Sequence, residues 1–427
     1  MLWLMIAFFF FLIFMNVPIA FCMALTSLFG IIVFDIPIMM LVQQMQSGID
    51  KFPFLAIPFF ILAGTIMETG GISLRLVNLA RAMVGHVRGG LGMVVVVAEI
   101  LFSGISGSSV ADASAIGSIM IPPLKRAGYS EQHSVSIITA ASGAGMLIPP
   151  CLVMIVMAML SDLSVAALFF GGFLPGTLMC LSLCIVIYYQ ASKGILPGGE
   201  DKFSWSTMAK AAMYAIIPMM MPVIIFGGIL GGVATATEVA VLAVLYAVIV
   251  SIFLYKEIKI SDLPRIFNET VLITGSVMLM TGASVFLSWI LATQNVPQMV
   301  GELITSYTNS PYVFLLITML VFLVTTALLD GLPALLIFFP IFYPVALELG
   351  IHPLQYTLLA VAANGIGLIL PPIGVLLIVT CGIARANLGS MFRPMIPYIG
   401  ILIISFLFIM FVPWVILVIP RMIWPGI

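Results

Sequence analysis

The sequence predicts an all-α polytopic membrane protein: an inverted repeat with two re-entrant helical hairpins and two Gly/Pro-broken helices. Three observations carry that prediction. First, 63% of the 427 residues are hydrophobic, only 7% are charged, and the mean hydropathy is +1.29. A water-soluble domain cannot hide that much apolar surface. Second, residues 140–153 read AASGAGMLIPPCLV and residues 362–375 read AANGIGLILPPIGV. Seven of these fourteen positions are identical at one gapless offset of 222, which also pairs Pro122 with Pro344, Gly128 with Gly350 and Pro175 with Pro397. Third, the cationic residues segregate to one side of the spans that this pattern implies.

Taken in order, the apolar runs give a helix over 2–30, bent near Asn16-Val17-Pro18, and a second over 52–70. Leu2–Phe14 has no basic region before it and no A-x-A site after it, so it reads as a retained helix rather than a cleaved signal. Residues 72–87 set Arg75 and Arg81 against Leu74, Leu76 and Leu79, the pattern of a helix lying in the membrane interface. A long apolar unit, 89–124, follows with GISGSS at its centre. Spans are expected at 132–160, 163–190, 212–231, 235–255 and 272–294. A second long unit, 311–349, is centred on Leu329-Asp330-Gly331, and the last spans are 353–384 and 396–419. Two complete crossings need about 40 apolar residues plus a turn. The units 89–124 and 311–349 fall short of that and have polar centres, so they read as hairpins.

With the N-terminus in the cytoplasm, Arg75, Arg81, Arg88, Lys125, Arg126, Lys193, Lys202, Lys210, Lys256, Lys259, Arg265, Arg385 and Arg393 lie inside. Only Lys51 and Arg421 lie outside. Thirteen against two is a strong positive-inside bias, and it places the C-terminus in the periplasm. The broken helix at 132–160 then runs outward and its copy at 353–384 runs inward. The duplication is therefore inverted, an architecture suited to alternating access.

The breaks are where chemistry is expected. Pro149 has no N–H for the carbonyl of Gly145, and Pro150 none for Met146. Ile148, which precedes a proline, is pushed out of helical geometry, and Gly143 and Gly145 ease the unwinding. The same bookkeeping frees the carbonyls of Gly367 and Leu368 ahead of Pro371-Pro372. Unpaired carbonyls at membrane depth are costly, and a hard cation satisfies them. A plain proline kink would explain one such break; two at one offset point to a site. The first hairpin centre, Ser103-Gly104-Ile105-Ser106-Gly107-Ser108-Ser109, supplies hydroxyls, and the second supplies Thr325-Thr326 and Asp330. The half-helix N-termini at the tips favour an anion.

Asp330 at the second tip reads as functional, because a carboxylate at that depth is costly. Glu99 and Asp112 flank the first tip, with structural and functional roles both open. Glu238 completes a T-x-x-E capping box with Thr235, and Asp162 reads as an N-cap. The five cysteines all lie in apolar segments and read as small buried hydrophobes. No basic run could hold a nucleic acid. Gly104-Ile105-Ser106-Gly107 matches the G-x-S-G of intramembrane proteases, but His86, His133 and His352 fall near segment ends, out of reach of these serines. An enzyme is not expected.

The stretch SGISGSSVADASAIGSIMIPPLKRAGY (103–129), the two Gly-x-Gly-x₃-Pro-Pro breaks and GGVATATEVA (231–240) resemble the large membrane subunit of tripartite ATP-independent periplasmic (TRAP) transporters. The resemblance covers essentially the whole chain and is nearest to the sialic-acid branch. It implies sodium-driven uptake of an organic acid across the bacterial inner membrane, with a small membrane subunit and a soluble periplasmic substrate-binding protein as partners. It implies an elevator: scaffold helices and an interfacial arm in 1–88 and 191–271, and moving repeat halves in 89–190 and 272–427. At least two sodium sites are implied. One comprises Ser103 and Ser106 with carbonyls near Gly145, Ile148 and Pro149. The other comprises Thr325 and Thr326 with carbonyls near Gly367 and Leu370. The substrate would sit near Ser108, Ser142, Asp330 and Asn364. A stand-alone sodium/anion symporter or channel of the same superfamily is the alternative.

Overall fold

The computed structural model describes residues 2–198, 202–307, 310–329 and 331–426, and every regular element among them is a helix. The first expected helix is two, α1 (Leu2–Phe14) and α2 (Ile19–Val33). Asn16 adopts a left-handed φ of 59° and Pro18 cannot donate to Phe14, so the chain breaks where a bend was expected. α3 (Met39–Ile49) was not foreseen, because Gln43, Gln44 and Gln46 interrupt its apolar run. A 3₁₀ turn at Phe52–Leu55 leads into α4 (Ala56–Thr69). The arm α5 (Ile72–Val84) buries Leu76, Val77 and Ala80. Its Arg75 pairs with Glu257 at 2.9 Å and lies 3.6 Å over the ring of Tyr255.

α6 (Gly90–Ser106) and α7 (Ser109–Arg126) form the first hairpin; α8 (Glu131–Gly145) and α9 (Leu152–Leu160) are the halves of the first broken helix. α10 (Val165–Ser192) is preceded by Ser164 at its N-cap. Asp162, expected there, instead turns with φ 50° and faces Lys51 at 3.3 Å. α11 (Trp205–Leu230) starts seven residues earlier than expected, and α12 (Ala236–Val248) continues as a π turn to Leu254. The Thr235/Glu238 capping box forms with both of its hydrogen bonds.

α13 (Leu263–Thr293) is the longest helix described and begins nine residues before its expected start. α14 (Val296–Tyr307) was not foreseen. The second hairpin is α15 (Pro311–Leu329) and α16 (Gly331–Glu348), and the second broken helix is α17 (Pro353–Gly367) and α18 (Val375–Ala384). The last expected span splits at Val412-Pro413 into α19 (Phe392–Phe411) and α20 (Trp414–Ile423). α20 buries Val415, Ile416 and Leu417 while Trp414 and Met422 stay exposed, the one-sided pattern of an interfacial helix.

Adding 222 to the bounds of α7 gives 331–348, and to those of α8 gives 353–367, which are the bounds of α16 and α17. The same addition takes α5 to 294–306, so α14 is the second arm. Packing is reciprocal as well: α10 lies against α17, and α19 against α8. At the centre, α8 and α17 cross at the repeat-related glycines. A Cβ on Gly143 would stand 2.7 Å from the carbonyl oxygen of Gly365, and a Cβ on Gly365 would strike the carbonyl of Gly143. Only glycine at both positions lets these backbones touch. The remaining long helices form a flank, with α13 packed on α2, α3 and α4, and α12 on α4.

Candidate functional site

At the first break, α6 presents Glu99, Ser103 and Ser106 at spacings of four and three, one face of a helix. α8 answers with Ser142 and Gly145. Ser103 Oγ donates to the carbonyl of Gly145 at 2.8 Å, and the N–H of Ile148 donates to the same oxygen at 2.8 Å. The Gly145 carbonyl, expected free, is thus doubly occupied, because the chain after it closes into a tight turn. The carbonyls of Ile148 and Pro149 accept none of the described hydrogen bonds. Ser106 Oγ donates to Asp112 and accepts from the N–H of Ser108 at 3.2 Å. Gly107 at the tip has φ +71°, and its carbonyl accepts the N–H of Leu152, at the start of α9, at 3.1 Å. Hairpin tip and broken helix are therefore joined backbone to backbone.

The second break is wired differently. Thr325, the repeat partner of Ser103, donates to Val321 O of its own helix at 2.7 Å. Thr326 Oγ1 is buried with no partner, and its Cβ presses on Gly367, where an added Cβ would lie 2.6 Å away. The N–H of Leu370 donates to Gly367 O at 3.1 Å, and Leu370 O accepts from Gly374 at 2.9 Å. Asp330 lies outside the described residues.

The two tips and the two breaks meet at one cavity of about 210 Å³. The first tip brings Ser108 and Ser109, the second Gly331 and Leu332, and the breaks bring Met146, Cys151, Asn364 and Leu368. α13 closes one wall with Ile273, Val277 and Met280, which periodicity alone gave no reason to single out. Asn364 is fully buried; its Nδ2 donates to Met146 Sδ at 3.4 Å and its Oδ1 has no partner. Ser142, its repeat partner, does not line the cavity: its hydroxyl donates to Glu99 and sits 3.0 Å from Ile138 O. No described Lys, Arg or His lines it. The N-termini of α7, α9 and α16 all begin at its wall, and a helix N-terminus carries partial positive charge.

Helix N-termini of this kind attract small anions, and among the described residues lining the cavity there is no His, Lys or carboxylate to act as a base. His133 lies in the first turn of α8 and His352 caps α17, each at a helix start rather than beside the serines.

The profile of the family described as tripartite ATP-independent periplasmic transporter, DctM component, matches residues 6–415. The chain is 37% identical to a C4-dicarboxylate TRAP transporter large permease protein DctM of Pseudomonas aeruginosa, covering 88% of each chain. It is 33% identical to a sialic acid TRAP transporter large permease protein SiaM of Vibrio cholerae, covering 96% of each. Among solved structures, the YdaH transporter of Alcanivorax borkumensis superposes with a TM-score of 0.67 over 88% of this chain and 87% of that one. At 14% identity that likeness concerns the fold.

Proposed function

The chain belongs to the DctM-component family of tripartite ATP-independent periplasmic transporters, and on that premise we propose that it is the translocating subunit of a sodium-coupled uptake system for an organic acid. Proteins of this family are transporters rather than enzymes, and their large subunits work with a small membrane subunit and a periplasmic binding protein. The observation that carries the reading is the convergence of both hairpin tips and both broken helices on one anion-favouring cavity.

The substrate is a carboxylate, of the sialic-acid or C4-dicarboxylate-like kind that relatives are named for. Its carboxylate is taken by the N-termini of α7, α9 and α16, and its polar body by Ser108 and Asn364. Sodium occupies two loci, one at Ser103 and Ser106 with the carbonyls of Ile148 and Pro149, the other at Thr326 beside Gly367. The unfilled carbonyls of the first break and the unpartnered hydroxyl of Thr326 support that assignment. The hairpins and broken helices move as an elevator past the flank of α2, α3, α4 and α13. The N-terminus lies in the cytoplasm and the C-terminus in the periplasm.

The test is reconstitution. Liposomes holding this chain with its small membrane subunit, given an inward sodium gradient and the binding protein, take up labelled organic acid. Omitting sodium or either partner abolishes uptake. Uptake by the chain alone would remove the tripartite reading, and sodium-independent uptake would remove the coupling.

A further inference from the structure

Glu99 is a buried acid that the ion and substrate loci above do not use. It lies midway along α6 with no exposed surface; of the residues one turn either side, Val95, Val96 and Phe102 are buried hydrophobics and Ser103 is a buried hydroxyl. Oε1 accepts the hydroxyl of Ser142, and Oε2 has no hydrogen-bond partner. α6 is packed by α4, α5, α7, α8, α10 and α11. Of these, α7 brings Asp112 and α10 brings Cys180, both near enough to act on Glu99 electrostatically. α4 brings Glu68, which acts on Asp112. Arg75 on α5 is engaged by Glu257. Among the described residues no Lys, Arg or His pairs with Glu99.

A lone carboxylate in such surroundings is expensive, and it is retained only with a compensating positive charge. A hard metal ion gathers about six oxygens or more. Glu99 offers one free oxygen beside one hydroxyl, and no group of three acidic, His or Cys side chains assembles there among the described residues. A proton needs only the free oxygen.

We propose that Glu99 is a proton-binding site of the first repeat. Oε2 carries a proton while α6 is packed on α8, and releases it to water when the transport cycle opens that interface, leaving a carboxylate. Ser142 donates to Oε1 in the packed, protonated form, and water takes its place on the carboxylate once the interface opens. The second repeat has Val321 at this position and binds no matching proton.

Two measurements test the site, and the first does not depend on transport. Infrared spectra of the purified chain are expected to show a carboxylic-acid carbonyl band that shifts in heavy water and is missing in Glu99→Gln. No band lost in that variant, or a band that never exchanges, overturns the proposal. If Glu99→Gln does not fold, Glu99→Val supplies the band-free reference. In the three-part liposome system, wild-type initial uptake is expected to vary at least ~3-fold between pH ~5.5 and ~8.5, since the ratio of protonated to ionised carboxyl changes about tenfold per pH unit. The Gln variant is expected to vary less than ~1.5-fold by the same reasoning. Identical pH profiles for both proteins would mean that the proton never leaves, and would overturn the proposal. If no preparation takes up substrate, the functional reading fails and the infrared result alone decides the site.

Discussion

In the second repeat Tyr356 is surrounded by Phe314, Phe322, Phe339 and Tyr343, with ring centroids 6.2, 6.4, 5.8 and 6.2 Å from its own. The matching positions of the first repeat hold Ser134, Gly92, Ile100, Gly117 and Ile121. There the helices close on one another, so that a Cβ on Gly92 would lie 3.1 Å from Ile187 and 3.2 Å from Ile137. The polar inventory diverges too: Glu99, Ser103, Ser106 and Asp112 of the first hairpin correspond to Val321, Thr325, Leu328 and Ala334. What both copies keep are the glycines at the crossing, the glycines before the breaks and the Pro-Pro pairs. The kept positions dictate backbone path. The diverged ones dictate how each half fills its interior and what charge it tolerates, so one backbone design supports two differently lined interiors.

Stripping out the aromatic filling is expected to have the greatest effect. Tyr356→Ser, the residue of the other copy, is expected to cost about 3–5 kcal/mol, as aromatic deletions from packed interiors do. Thermal unfolding in detergent measures it. A loss below about 1 kcal/mol would mean that the aromatic cluster contributes little to holding the second hairpin.

Next comes the crossing that the copies share. Gly143→Ala and Gly365→Ala each push a methyl into the partner backbone, and overpacking of this kind costs about 1–3 kcal/mol. The two variants are expected to agree within about 0.5 kcal/mol, because each meets the other's carbonyl, and the double variant to fall short of their sum, because contacting sites do not add. A large difference between the single variants would break the two-fold relation at its centre.

Much of this was legible beforehand, for a physical reason. Gly-Gly-Pro-Pro breaks and long apolar runs are local signals, and the hairpins and broken helices follow from them. The second arm, α14, was missed because it has neither a long apolar run nor cations like Arg75 and Arg81, which marked 72–87 as interfacial; its one charged residue is Glu302. The 222-residue offset from α5 was the signal that could have found it. The split at Val412-Pro413 was masked by apolar residues on both sides. The partner of Ser142 was not legible at all. Repeat logic sets Ser142 beside Asn364 in role, but which face of α8 meets α6 depends on helix rotation, and that turned Ser142 toward Glu99. Equally, the prolines identify carbonyls that lose their helical donors, but not that a tight turn and Ser103 refill Gly145.

That refilling separates Ser103 from Thr325, and a stability measurement with and without sodium can expose it. In sodium-free buffer Ser103→Ala loses a hydrogen bond between α6 and α8 and is expected to lose about 1 kcal/mol. Thr325→Ala loses only a bond to its own helix and is expected to lose less than about 0.5 kcal/mol. Sodium then adds a second comparison, since an ion that binds only the folded protein stabilises it in proportion to the logarithm of its occupancy. If Ser103 belongs to the first ion shell, its variant shows a reduced sodium-induced rise in unfolding temperature. Its half-saturating sodium for uptake increases about fivefold, the equivalent of about 1 kcal/mol. Thr326→Val is expected to do the same at the second locus while Thr325→Ala keeps most of the rise, because only the Thr326 hydroxyl is left without a partner. Equal losses for Ser103→Ala and Thr325→Ala without sodium would make the two breaks alike after all. An undiminished sodium response in both Ser103→Ala and Thr326→Val would take the hydroxyls out of the ion shells and leave the backbone carbonyls alone to hold the cation.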